Sequence, residues 1–138
     1  MDRVKNYIFL VVLGLIFVYF SITIIGYGVA IAIPANILEP LAKSIPSLAF
    51  ALIDLITLGV PLVIFYILLV QLSKLLKAND NPLAYVYLVL PFYFLHLYSY
   101  IITFPNSEVV FYLASTLPKY VLLGLCVWYL SKQRLKKV

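Results

Sequence analysis

Two side chains in this sequence ionise where their neighbours are almost entirely apolar: Asp54, within residues 46–73, and His96, within residues 82–104. A carboxylate and an imidazole together cover the protonation changes accessible near neutral pH, so the two suit a proton or a small cation. Thr57 lies about one turn beyond Asp54, and Ser99 and Thr103 share a helical face with His96. Asp54 follows Pro46 by eight residues and His96 precedes Phe104 by eight. At about 1.5 Å per residue, that puts each roughly 12 Å from the same end of an antiparallel helix pair. Asp54, His96, Thr57, Ser99 and Thr103 therefore form a candidate intramembrane polar site. The competing role is structural, because a buried polar pair can serve only to fix how helices register.

Other chemistries lack their residues. With one histidine and one cysteine in the chain, neither a cysteine cluster for metal nor a bis-histidine haem site can be assembled within it. There is no Gly-rich phosphate loop, no serine in a nucleophile elbow and no second acid within the apolar runs. The expectation is that the protein is not an enzyme and has no catalytic residue, no cofactor and no metal. Cys126 reads as a small apolar packing residue.

The elements that must position Asp54 and His96 are membrane helices. The chain is 65% hydrophobic and 11% charged, far from the roughly 45–50% apolar and about 25% charged of a soluble domain. Four apolar runs, each near the roughly 20 residues that cross a hydrocarbon layer, consume most of its 138 residues. They predict one all-α transmembrane domain over 1–138, with helices at about 6–33, 46–73, 82–104 and 118–135. The first run is too long for the apolar region of a signal peptide and reads as a retained helix.

Within the first run, Gly14, Ser21 and Gly28 recur at seven-residue spacing and form a packing seam for close helix approach. Residues 36–45 put Ile37, Leu38, Leu41 and Ile45 opposite Glu39 and Lys43, which predicts a short interfacial helix. Pro61 removes a hydrogen bond to the Thr57 carbonyl and predicts a bend there; Pro91 predicts another in the third run. That third run carries eight aromatic residues, of which Tyr85, Tyr100 and Phe104 suit the interfacial belt and Phe92, Tyr93 and Phe94 need packing partners.

The fourth run is divided by Pro118 and Lys119. Leu41-Ala42-Lys43-Ser44-Ile45-Pro46 resembles Leu113-Ala114-Ser115-Thr116-Leu117-Pro118, which suggests an internal repeat: two tandem parallel hairpins, each with a short outer interfacial helix, the second over about 107–116. Helix four then starts at Pro118 and Lys119 sits at the outer surface. The alternative is a helix starting at Val109, which buries the Lys119 ammonium and requires Asp54 as its counter-ion.

The net charge of +5 does not point to nucleic acid, because the basic residues flank the apolar runs. Arg3, Lys5, Lys74, Lys77, Lys132, Arg134, Lys136 and Lys137 fall on one side of the predicted topology, leaving Lys43 and Lys119 as exceptions. The positive-inside rule makes that side cytoplasmic and predicts a multi-pass protein of the bacterial inner (plasma) membrane with both termini inside. Expected partners are membrane lipids, together with a protein in the membrane or further copies of the chain. Helices rich in packing surface and poor in chemistry favour action by binding, as an accessory subunit or an immunity-type inhibitor of another membrane protein. The alternative is a small oligomeric transporter or channel for a proton, ion or small solute using Asp54 and His96.

Overall fold

Long apolar runs with few interior breakers satisfy their backbone groups internally, and they do so here as helices. The computed structural model describes residues 2–27, 34–75, 84–103 and 109–135, and all its regular structure is helical. Helix α1 is Asp2–Tyr27, α2 is Ala35–Ser44, α3 is Pro46–Leu75, α4 is Ala84–Thr103 and α5 is Val109–Leu135. Four of these contain spans long and apolar enough to cross a membrane: Val4–Ile24, Pro46–Leu75, Ala84–Ile102 and Leu113–Gln133, with mean hydropathy of 2.5, 2.5, 1.4 and 1.4.

The two most extensive helix faces pair α1 with α4 and the first half of α3 with α5. Gly14 explains the first. A Cβ at that position would lie 3.0 Å from both the Leu88 carbonyl oxygen and Pro91 Cγ, so only glycine lets the α4 backbone and the proline ring come this close. Ser21, the next seam position, is fully buried and returns its hydroxyl to the Val18 carbonyl at 2.7 Å. Gly28 lies outside the described residues.

Next to this seam the core is aromatic. Phe17, Tyr66 and Phe92 are fully buried, and Phe17 meets the other two edge-on at 6.2 and 5.3 Å between ring centroids. Tyr66 donates to the Tyr85 carbonyl at 3.1 Å, which ties α3 to α4. Tyr85 is thus a core residue, not the interfacial aromatic its place near a helix end suggests. Of the central trio, Phe92 is buried and Tyr93 half-buried, while Phe94 points outward.

Helix α2 forms where the amphipathic pattern places it. The chain then leaves helical geometry at Ile45 (φ −140°, ψ 83°), and Pro46 opens α3 at a position where its missing N–H goes unneeded.

The matching segment in the fourth run behaves differently. The sequence predicts an interfacial helix over 107–116 and a fresh start at Pro118, but α5 runs unbroken from Val109 to Leu135 through Pro118. Leu117, the counterpart of Ile45, stays helical. Lys119 is buried, not at the outer surface. A break at Pro118 would spare the ammonium an unfavourable burial, but its partner on α3 offsets that burial without one. Pro118 leaves one acceptor, the Ala114 carbonyl, without its helical donor, a local loss that does not stop the helix. Phe50 of α3 and Phe111 of α5, edge-on at 5.6 Å, pack the early part of α5 against the start of α3.

Candidate functional site

The site begins with a local irregularity in α3. Pro61 has no N–H to give the Thr57 carbonyl, and the Thr57 hydroxyl instead donates to the Ile53 carbonyl at 2.7 Å. The helix absorbs the mismatch by widening over Leu55–Gly59 into a π turn, in which the Val60 N–H reaches the Leu55 carbonyl. Where the sequence predicts a bend, the structure has this wide turn. Asp54 is the last residue before it.

Gly59 closes the same turn and faces α5. A Cβ on Gly59 would lie 3.2 Å from Lys119 Cβ and 3.5 Å from its Cα, so the absent side chain makes the room in which Lys119 sits. The Lys119 ammonium reaches back to Asp54. Its Nζ donates to Oδ1 at 3.1 Å and lies 3.0 Å from Oδ2. The angle to Oδ2 is poor, and Oδ2 is buried with no hydrogen-bond donor among the described residues. Charge therefore holds Oδ2, and a hydrogen bond holds Oδ1. The lysine side chain is 7% exposed and the aspartate 25%, so the approach to this pair is from the aspartate side. Among the described residues the other lysines, Lys5, Lys43, Lys74 and Lys132, are all exposed.

His96 does not join Asp54. Its Nδ1 is 2.7 Å from the Tyr120 hydroxyl, and its ring packs on Phe92 at 4.3 Å between centroids. With Tyr120 donating, the imidazole proton sits on Nε2; with Nδ1 protonated, the roles reverse. Lys119 and Tyr120 are consecutive, so the two expected site residues are bound by neighbouring positions of α5 and linked through its backbone. Around them Tyr93 donates to the Tyr120 carbonyl at 2.9 Å, the Tyr100 and Thr116 hydroxyls are hydrogen-bonded to each other, and the Lys119 ammonium lies 5.2 Å from the Tyr120 ring centre.

Of the five expected site residues, Asp54 and Thr57 lie together at the π turn and His96 is held by Tyr120, the residue after Lys119 on α5. Ser99 is on an exposed part of α4, and the side chain of Thr103 is outside those described. The structure adds Tyr93, Tyr100, Thr116 and Tyr120, none of which the sequence pattern assigns to the site. Their signal is that each hydroxyl falls within an apolar run, where it needs an internal partner. Among the described residues no three of His, Cys, Asp and Glu gather as metal ligands.

What this arrangement offers chemically is a neutral ion pair between two membrane-length helices, with one carboxylate oxygen short of a donor, beside an imidazole held by a phenol. Comparison of the chain with protein-family models, with curated proteins and with solved structures gave no match.

Proposed function

We propose that the protein is a small multi-pass protein of the bacterial inner membrane that moves protons or small cations, with the Asp54–Lys119 pair as its exchangeable site. The observation behind this reading is the buried pair itself. Ionisable residues inside membrane spans are unfavourable enough that they usually mark a transport path or a proton relay. Here the pair sits on a π turn, a distortion often found at working sites. A proton or cation reaching the Asp54 carboxylate from its exposed side competes with the ammonium, and the pair opens. Four short helices rarely enclose a path alone, so the working form is an oligomer. The basic flanks of the apolar runs favour both termini in the cytoplasm, and the partial likeness of 41–46 to 113–118 fits an origin in two tandem hairpins, even though the two segments now fold differently.

The test uses the double variant Asp54→Asn with Lys119→Met, which removes the exchangeable pair and leaves no buried charge unpaired. Reconstituted wild type should pass protons, sodium or potassium down an imposed gradient. The double variant should fold and stay inactive. Wild-type vesicles no leakier than protein-free ones would sink the reading.

A second reading, action by binding as an accessory subunit or inhibitor of another membrane protein, draws support from the closure of the polar network. Lys119, Tyr120, His96, Tyr93, Tyr100 and Thr116 all find partners inside the chain, which leaves apolar helix faces for contact. Purification from native membranes in mild detergent separates the two, since a stoichiometric partner favours binding and a homo-oligomer favours translocation.

A further inference from the structure

A groove of about 570 Å³ runs between α4 and α5. Val86, Leu90 and Leu97 of α4 form one wall and Gly124 and Trp128 of α5 the other, with Ser131 at one end. The spacing 86, 90, 97 follows one face of α4 for eleven residues, roughly 16 Å at about 1.5 Å per residue. Gly124 is not there for helix packing, because an added Cβ would meet only the Tyr93 hydroxyl at an ordinary 3.4 Å. Its missing side chain leaves hollow space along the groove. Midway along, the Tyr93 hydroxyl is spent on the Tyr120 carbonyl, and the remaining polar features lie at one end. There Ser131 donates to the Val127 carbonyl at 2.8 Å and keeps free acceptor capacity, and the Lys132 ammonium is held 4.8 Å from the Trp128 ring centre. Lys132 is exposed, and the sequence continues with Arg134, Lys136 and Lys137.

From this shape and charge we infer that the groove holds one acyl chain of an anionic phospholipid whose phosphate is paired with Lys132. A long apolar trough ending in an ammonium matches a lipid tail below a charged head group. The volume also lies within the roughly 300–1,000 Å³ of small-molecule sites. A transmembrane helix of another protein, or a second copy of this chain, would match the apolar walls but not the cation at one end. Basic side chains at the surface add attraction for anionic head groups. The inference does not rest on translocation: the groove and the Asp54–Lys119 pair share no residue, and only Tyr93, which donates to the Tyr120 carbonyl, links the groove to the site.

The experiment is native mass spectrometry of the full chain in mild detergent after exposure to equal amounts of phosphatidylglycerol and phosphatidylcholine with identical tails. One phosphatidylglycerol should be retained per chain in preference to phosphatidylcholine. Lys132→Gln should reduce that preference by about fivefold, the contribution of one basic residue near a charged surface, without changing helix content. Gly124→Leu should expel both lipids, and Leu90→Trp, on the opposite and already exposed wall, provides an independent block should the first variant lose its fold. Equal retention of the two lipids by wild type overturns the inference, as does a delipidated dimer that cross-links through cysteines placed at Leu90.

Discussion

Gly59 lies directly against Lys119: a Cβ at Gly59 would be 3.2 Å from Lys119 Cβ, tighter than ordinary contact, so the π turn of α3 and α5 would have to give to admit a side chain. The two nearest obstacles differ in kind. Leu55 Cδ1, 3.2 Å from a hypothetical Cβ, can swing away, whereas Lys119 Cβ and Cα move only with the helix. Gly59→Val should therefore push α5 outward and lengthen the ion pair, lowering stability by about 1–3 kcal/mol, as overpacking usually does. Thermal unfolding in detergent micelles reads this out. A variant as stable as wild type would mean that the helices are not in contact at this point.

The ion pair makes a sharper prediction because its partners can be removed singly or together. Asp54→Asn strands a buried ammonium and Lys119→Met strands a carboxylate, so each should cost about 3–5 kcal/mol. The double variant strands neither and should lie close to wild type. A thermodynamic cycle measured by denaturation in mixed micelles should give a large coupling. If Lys119→Met alone is harmless, the lysine is at the surface and α5 begins near Pro118 after all.

How much of this was legible beforehand follows from how far each interaction reaches along the chain. The four spans were plain because hydropathy sums over some 20 residues, so single exceptions do not matter. Residues such as Pro61 and Thr57 announced a distortion in α3 but not its form, a π turn closed by Gly59. The Asp54–Lys119 pair joins positions 65 apart. Charge balance within the apolar runs suggested it, but local rules favoured ending the helix at a proline and putting a lysine at the surface. A tertiary contact overrode both. The distribution of partners around His96 was out of reach, since a tyrosine in an aromatic-rich membrane chain carries no local mark of what it will bond.

Gly14 gives a prediction at the opposite helix pair. The Leu88 carbonyl and the Pro91 ring occupy the space a side chain would need. Gly14→Ala should therefore separate α1 from α4 and destabilise the bundle by about 1–3 kcal/mol. Pro91→Ala combined with it clears the ring carbons but not the carbonyl, so it should recover part of that loss and the two changes should be non-additive, as expected of residues in contact. Full additivity in micelle unfolding would place the two residues apart.

Tyr120 tests whether the imidazole belongs to the same unit as the ion pair. Its hydroxyl is the partner of His96 Nδ1 at 2.7 Å, and the Phe92 ring packed on that imidazole cannot replace the bond. Tyr120→Phe should leave a half-buried nitrogen without its partner, at about 1 kcal/mol. Adding His96→Phe removes the orphan and should restore most of the stability. The nitrogen-15 signal of His96 Nδ1 should shift in Tyr120→Phe, since the atom loses its partner, and an unmoved signal would show that the bond does not form. Flux then separates structure from transport. Tyr120 is the residue next to Lys119, so if the imidazole passes protons to the pair, the double variant His96→Phe with Tyr120→Phe will be stable and slow for protons while still passing a metal cation. If it serves only to hold α4 against α5, the same variant will be stable and as fast as wild type for both.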